Sequence, residues 1–180
     1  MADVFDNQAP DAWRADLWAL IRATPALDWL LLTKRPMNIR KMLPPDWGQG
    51  WPHVWLGTTV ESQEEAERRI LPLLAIPARL HFLSCEPLLE PLNLGAYLPE
   101  IECGPRVEWV ICGGETGDGF RDVDPAWARS LRDQCAEAGT AFFMKQMSGP
   151  HQRQLPPIPD DLMVREWPRS PAIAVTGAAA

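Results

Sequence analysis

Five polar clusters close five apolar runs in this chain, and each holds groups able to bind an ion or move a proton. They are Thr33-Lys34-Arg35-Pro36, Thr58-Thr59-Val60-Glu61, Ser84-Cys85-Glu86-Pro87, Gly113-Gly114-Glu115-Thr116-Gly117 and Lys145-Gln146. Lys34 and Arg35 are two adjacent cations suited to clamp a carboxylate or a phosphate. Glu61 and Glu86 can serve as acid, base or hydrogen-bond acceptor. Lys145 can act with Glu86 as an acid–base pair, or stand as counter-ion to Glu86 or Glu115. The sharpest local signal is Gly113-Gly114-Glu115. Two glycines let the backbone approach a ligand closely, and the neighbouring carboxylate can hold an ammonium or a hydroxyl. A glycine-rich turn after a strand can also cradle a phosphate, although the GxGxxG spacing of a dinucleotide site is absent. A plain tight turn is the alternative.

The four cysteines are Cys85, Cys103, Cys112 and Cys135. No two lie within four residues of each other, which argues against a zinc ribbon, a redox pair or a compact iron–sulfur motif. No metal site is expected from them. His81 is four residues before Cys85 on the same run, too far along an extended strand for a thiol–imidazole pair.

These clusters need elements to carry them. The apolar runs start at residues 28, 54, 79, 107 and 140. They are DWLLLT, VWLGTT, RLHFLS, VEWVIC and TAFFMK. Each is short, rich in branched and aromatic residues, and hardly alternates. That is the pattern of strands covered on both faces, hence of a parallel sheet. The intervals between them suit parallel crossovers through a helix.

Four helices are predicted. One over 10–23 carries Trp13, Leu17, Leu20 and Ile21 as its apolar face. A short one runs over 36–43. A third begins at the Ser62/Glu65 capping box and runs to about Leu74. The fourth is N-capped by Asp124 with Pro125 at its first position, and Gly139 closes it; Trp127, Leu131 and Cys135 share one of its faces. Residues 88–105 are expected to be mostly loop. Ligands of barrels and open parallel sheets bind beyond the carboxyl ends of the strands. The five polar clusters should therefore form one rim.

Composition bounds the function classes. The chain of 180 residues, 46% hydrophobic and 23% charged, suits one domain. A net charge of −7 argues against a generic electrostatic grip on nucleic acid or anionic membrane. No apolar run is long enough to span a bilayer, and the first residues lack a signal-peptide pattern; a cytoplasmic location is expected. The domain is placed at residues 1–150. Residues 151–180 are read as a C-terminal extension whose proline-rich and small residues end in a loose tail.

Taken together, LLTKRP (31–36), VWLGTTVESQEEAERRI (54–70), FLSCEPLL (82–89), WVICGGETG (109–117) and WARSLRDQCAEAG followed by FFMKQ (127–146) resemble the phage-associated gp-thirty-seven/gp-sixty-eight family of unknown function. The blocks occur in order from about residue 2 to 146. Full-length members are similar to radical S-adenosylmethionine enzymes, in which three cysteines hold a [4Fe–4S] cluster near the N-terminus. No cysteine here lies at the triad's position. The resemblance therefore implies a partial parallel (βα) barrel of about five strands that lacks the first two strands and the cluster segment. It implies an enzyme part inactive alone, with no cofactor expected for this chain by itself. Gly113, Gly114 and Glu115 would be the cofactor contacts, Glu86 and Lys145 the catalytic pair. Substrate contacts would be Lys34, Arg35, Thr58, Glu61, Ser84 and Gln146. The other reading is a non-catalytic phage-accessory protein that binds a small anion on the same rim. A barrel lacking strands has open edges, which invite self-association or pairing with a separate N-terminal partner.

Overall fold

The chain is described by a computed structural model for residues 3–98 and 104–168. The five apolar runs form β1 (Trp29–Thr33), β2 (Val54–Thr59), β3 (His81–Cys85), β4 (Trp109–Gly113) and β5 (Ala141–Gln146). They make one all-parallel sheet in the order β1-β2-β3-β4-β5, so this is an α/β fold of the expected class. The helices are α1 (Asp11–Ala23), α2 (Pro36–Met42), α3 (Gln63–Leu74) and α4 (Pro125–Ala138). Ser62 caps α3 by accepting the Glu65 N–H at 3.4 Å. Asp124 caps α4 by accepting the Ala126 N–H at 2.8 Å. Gly139 ends α4 with φ 67°, a conformation glycine adopts without steric penalty.

Strand parity divides the sheet into two unlike faces. Leu31, Leu56, Leu83, Cys85, Val110, Cys112, Phe142 and Met144 turn toward the helices. They join Ile21, Ile39, Ile70, Leu73 and Leu131 in the main core. Trp55, Phe82 and Trp109 turn the other way and cluster with Leu80, Ile111, Ala141 and Phe143. No helical residue joins that second cluster among the described residues. Gly57 lies under the Phe82 ring, where a Cβ would come within 2.4 Å of ring carbons. Leu30 and Leu32, on the same face of β1, remain 41% exposed.

The buried face of α1 differs from the expected one. Trp13 and Leu20 point outward, at 67% and 51% exposure, while Arg14, Trp18 and Ile21 are buried. Arg14 can be buried because its guanidinium donates to the carbonyls of Val4, Asp6 and Ala9 at 3.0–3.2 Å. A charge satisfied inward displaces the apolar stripe by one position.

The proline-rich segment after β5 is packed, although its sequence shows no period. Leu162 is fully buried. Arg129 and Arg132 of α4 bind Asp161. Residues 164–166 run antiparallel along the outer edge of β5: Met144 N–H donates to Val164 O at 2.8 Å and Glu166 N–H to Phe142 O at 2.9 Å. One of the two sheet edges expected to be open is therefore closed by the chain itself. Trp167 then lies against Trp109, centroids 4.9 Å apart and rings tilted by 34°, over the helix-free face. The loose tail expected over the last residues lies outside the described residues, as does Cys103.

Candidate functional site

At the carboxyl end of the sheet two ionic groups stand side by side. The first belongs to β1, β2 and α3. Glu61 accepts the Lys34 ammonium and, at 2.7 Å, Arg69 Nη1. Arg69 is buried, also donates to Thr59 O at 2.7 Å, and has its Nε 2.6 Å from Glu65 Oε2. Burial opposes ionisation of Glu61, but Lys34 and Arg69 outweigh it and hold its carboxyl below the ordinary range.

The second group belongs to β3 and β5. Glu86 accepts the Ser84 hydroxyl at 3.2 Å on Oε1 and lies 2.7 Å from Lys145 Nζ through Oε2. Ser84 has the parity of Phe82, so it sits on the helix-free side above the aromatic cluster. Lys34 and Lys145 are half-exposed and Glu61 and Glu86 mostly covered. Their ammonium groups are thus the mobile, solvent-facing partners.

The remaining expected residues serve other ends. Arg35 turns toward the N-terminal segment and pairs with Asp3 and Asp6. Thr58 is fully buried on the helix side, where its hydroxyl donates to Thr33 O at 2.8 Å. Gln146 donates to Gly114 O at 3.1 Å. At Gly113 a Cβ would stand 3.0 Å from Glu86 Oε2, so the Glu86 side chain would have to give way slightly. Gly114 is needed because a Cβ would meet Ser148 N at 2.3 Å. The glycine pair thus makes room for the chain's own Glu86 and Ser148. Glu115 swings outward to Arg121, which holds its carboxyl down to about 2.

Three positions escaped the sequence reading. Asp3 accepts the Thr33 hydroxyl at 2.8 Å and binds Arg35, which ties the start of the chain to the rim. Arg69 supplies the buried cation. Ser148 donates no identity signal in sequence, yet its hydroxyl accepts Val123 N–H at 2.9 Å and fixes the loop beside Gly114. Arg69 alone had a signal, since it lies four residues after Glu65 on a helix face.

Cys85 and Cys112 are register partners on adjacent strands, on the helix side, with Cys135 in the same core. Burial pushes the Cys112 and Cys135 thiols up to about 12 and that of Cys85 well above its ordinary value. Such thiols are poor nucleophiles and poor metal ligands. Among the described residues no group of three or more His, Cys, Asp or Glu side chains is arranged to hold a metal ion. No helix among them is long and apolar enough to cross a membrane. His81 donates its Nε2–H to Ile76 O at 2.9 Å, away from Cys85.

A model of a protein family of unknown function, DUF5131, matches residues 1–170. No curated protein and no solved structure matches.

Proposed function

We propose that this chain, which belongs to the DUF5131 family of proteins of unknown function, binds on its carboxyl rim a small molecule carrying both a cationic and an anionic group. One observation carries this reading. Two carboxylates and two half-exposed ammonium groups, Glu61 with Lys34 and Glu86 with Lys145, stand at the carboxyl ends of one parallel sheet, in the order Lys34, Glu61, Glu86, Lys145 from β1 to β5. A ligand ammonium would take the place of Lys145 on Glu86, and a ligand carboxylate would draw Lys145 or Lys34 outward. Each exchange replaces one charge-assisted hydrogen bond by another.

Sequential parallel strands with helices on one face are also how one wall of a barrel is built. On the motif likeness to the phage-associated gp-thirty-seven/gp-sixty-eight family, this wall corresponds to the later strands of a radical S-adenosylmethionine-like barrel. The described residues do not fit a [4Fe–4S] cluster, because Cys85, Cys112 and Cys135 are buried under the helices with raised thiols. The Gly113-Gly114-Glu115 turn is engaged by Ser148 and Arg121. Glu86 is therefore the better acceptor for a ligand ammonium. Where a ligand separates them, Glu86 and Lys145 would be placed to move a proton between them.

Calorimetric titration of the chain with S-adenosylmethionine, with methionine and with inorganic phosphate tests this. A zwitterionic probe should bind more tightly than phosphate, and Glu86→Gln and Lys145→Met should each weaken it roughly tenfold. Binding that neither variant alters, or binding of phosphate alone, overturns the zwitterion reading; the latter would favour a small-anion site.

A further inference from the structure

The loop that follows β4 brings a third ion pair to the rim, and it is built unlike the other two. The strand order is β3-β4-β5, so this loop rises between the strand ends that carry Glu86 and Lys145. Gly117 and Gly119, with φ of 127° and 73°, turn the chain back, and Phe120 N–H donates to Gly117 O at 3.2 Å. The turn returns Arg121 to Glu115. Three donors then converge on one carboxylate. The Arg121 backbone N–H and Nε reach Glu115 Oε2 at 2.9 and 2.8 Å, and Nη2 reaches Oε1 at 2.7 Å. This is the two-pronged guanidinium grip on a carboxylate, with a backbone N–H added. Lys34 and Lys145 offer only compact ammonium charges. The loop keeps its shape without the Glu115 side chain. Gly117 N–H donates to Gly149 O at 3.2 Å, Gly149 N–H to Glu115 O at 3.0 Å and Val123 N–H to Ser148 Oγ at 2.9 Å. These bonds pin the loop to the segment after β5. The Arg121 side chain is 61% exposed. It also lies close enough to Glu61 for that carboxylate to favour its charge, which keeps it within electrostatic reach of the rim.

We propose that this fork is the carboxylate seat of the rim, and that Glu115 fills it as an internal stand-in which a ligand carboxylate displaces. The inference rests on the rim reading above and adds the class of the anionic group. That group is a planar carboxylate taken two-pronged by Arg121, while the ligand ammonium goes to Glu86 at the neighbouring strand end. Exchanging one carboxylate for another on the same three donors conserves the hydrogen bonds of Arg121 and releases Glu115 to water. The pair is exposed enough that the displaced charge is not stranded. A tethered competitor lowers the apparent affinity of what must displace it, so Glu115 sets how tightly the rim binds.

Calorimetric titration with methionine and with methioninamide, which keeps the ammonium and the thioether but lacks the carboxylate, reads the seat. Wild type should bind methionine more tightly than methioninamide. Glu115→Ala empties the seat and should tighten methionine roughly three- to tenfold while leaving methioninamide unchanged. Arg121→Gln should weaken methionine roughly tenfold and also leave methioninamide unchanged. Glu86→Gln should weaken both probes, which reads the ammonium position separately. Far-UV circular dichroism checks that each variant is folded. Glu115→Ala that fails to tighten methionine, or Arg121→Gln that weakens both probes alike or neither, overturns the carboxylate seat and leaves the Glu86–Lys145 reading standing. A wild-type chain that binds neither probe also overturns the seat, and the S-adenosylmethionine titration then decides the rim reading by itself.

Discussion

Replacing Glu61 by glutamine tests the ionic frame that holds β1, β2 and α3 together at the rim. The carboxylate faces Lys34 and the buried Arg69, whose side chain is only 7% exposed. Orphaning a buried ion costs about 3–5 kcal/mol. Arg69 would still keep Thr59 O and Glu65, and the glutamine oxygen still accepts a hydrogen bond. The loss should therefore be about 1–2 kcal/mol at pH 7, or roughly 2–8 °C in melting temperature for a chain of this size. The sign of its pH dependence is fixed by the lowered carboxyl of Glu61. A group whose folded value is depressed contributes stability above its unfolded value, 4.5, and loses it as pH falls through the lower folded value. Wild type and Glu61→Gln should thus differ most near neutrality and converge in acid, where both carry a neutral side chain. Urea denaturation at pH 7 and at acid pH measures this. Equal stabilities at pH 7, or a gap that persists in acid, would refute the reasoning.

Gly57→Ala should destabilise by about 1–3 kcal/mol in urea melts, because its Cβ would enter the Phe82 ring space. Trp167→Ala should remove about 0.5–1.5 kcal/mol beyond its lost area and alter the near-ultraviolet dichroism of Trp109, against which it packs. Cys85, Cys112 and Cys135 should resist a thiol reagent in the native chain and react on unfolding, as peptide mass mapping would show. Glu115→Ala should leave the urea midpoint essentially unchanged in the same melts, since its pair with Arg121 is at the surface.

The strands were legible because burial on both faces requires continuous apolar runs, and β1 to β5 each begin within two residues of one. Caps were legible for α3 and α4, where Ser62, Asp124 and Gly139 have side-chain or backbone chemistry that only a helix end uses. The face of α1 was not. Trp13, Leu17 and Leu20 form a regular stripe, but the burial of Arg14 depends on carbonyls of Val4, Asp6 and Ala9 that no periodicity reveals. The closing segment 164–166 was hidden for a related reason: an edge strand held by backbone pairing and by one packed tryptophan needs no repeating pattern. At the rim, Lys34, Glu61, Ser84, Glu86 and Lys145 do stand at or just past the carboxyl ends of their strands. Thr58 and Glu115 show what type alone omits. Parity buries the first under the helices, and an arginine six residues on draws the second outward.

The proposed ligand site at Lys34, Glu61, Glu86 and Lys145 is tested most directly by amide chemical-shift mapping during titration with S-adenosylmethionine. Shifts should concentrate at residues 33–35, 59–61, 84–87, 113–114 and 145–147. Shifts confined to the opposite ends of the strands, around His81 and Glu108, or no shifts at a saturating probe concentration, would contradict it.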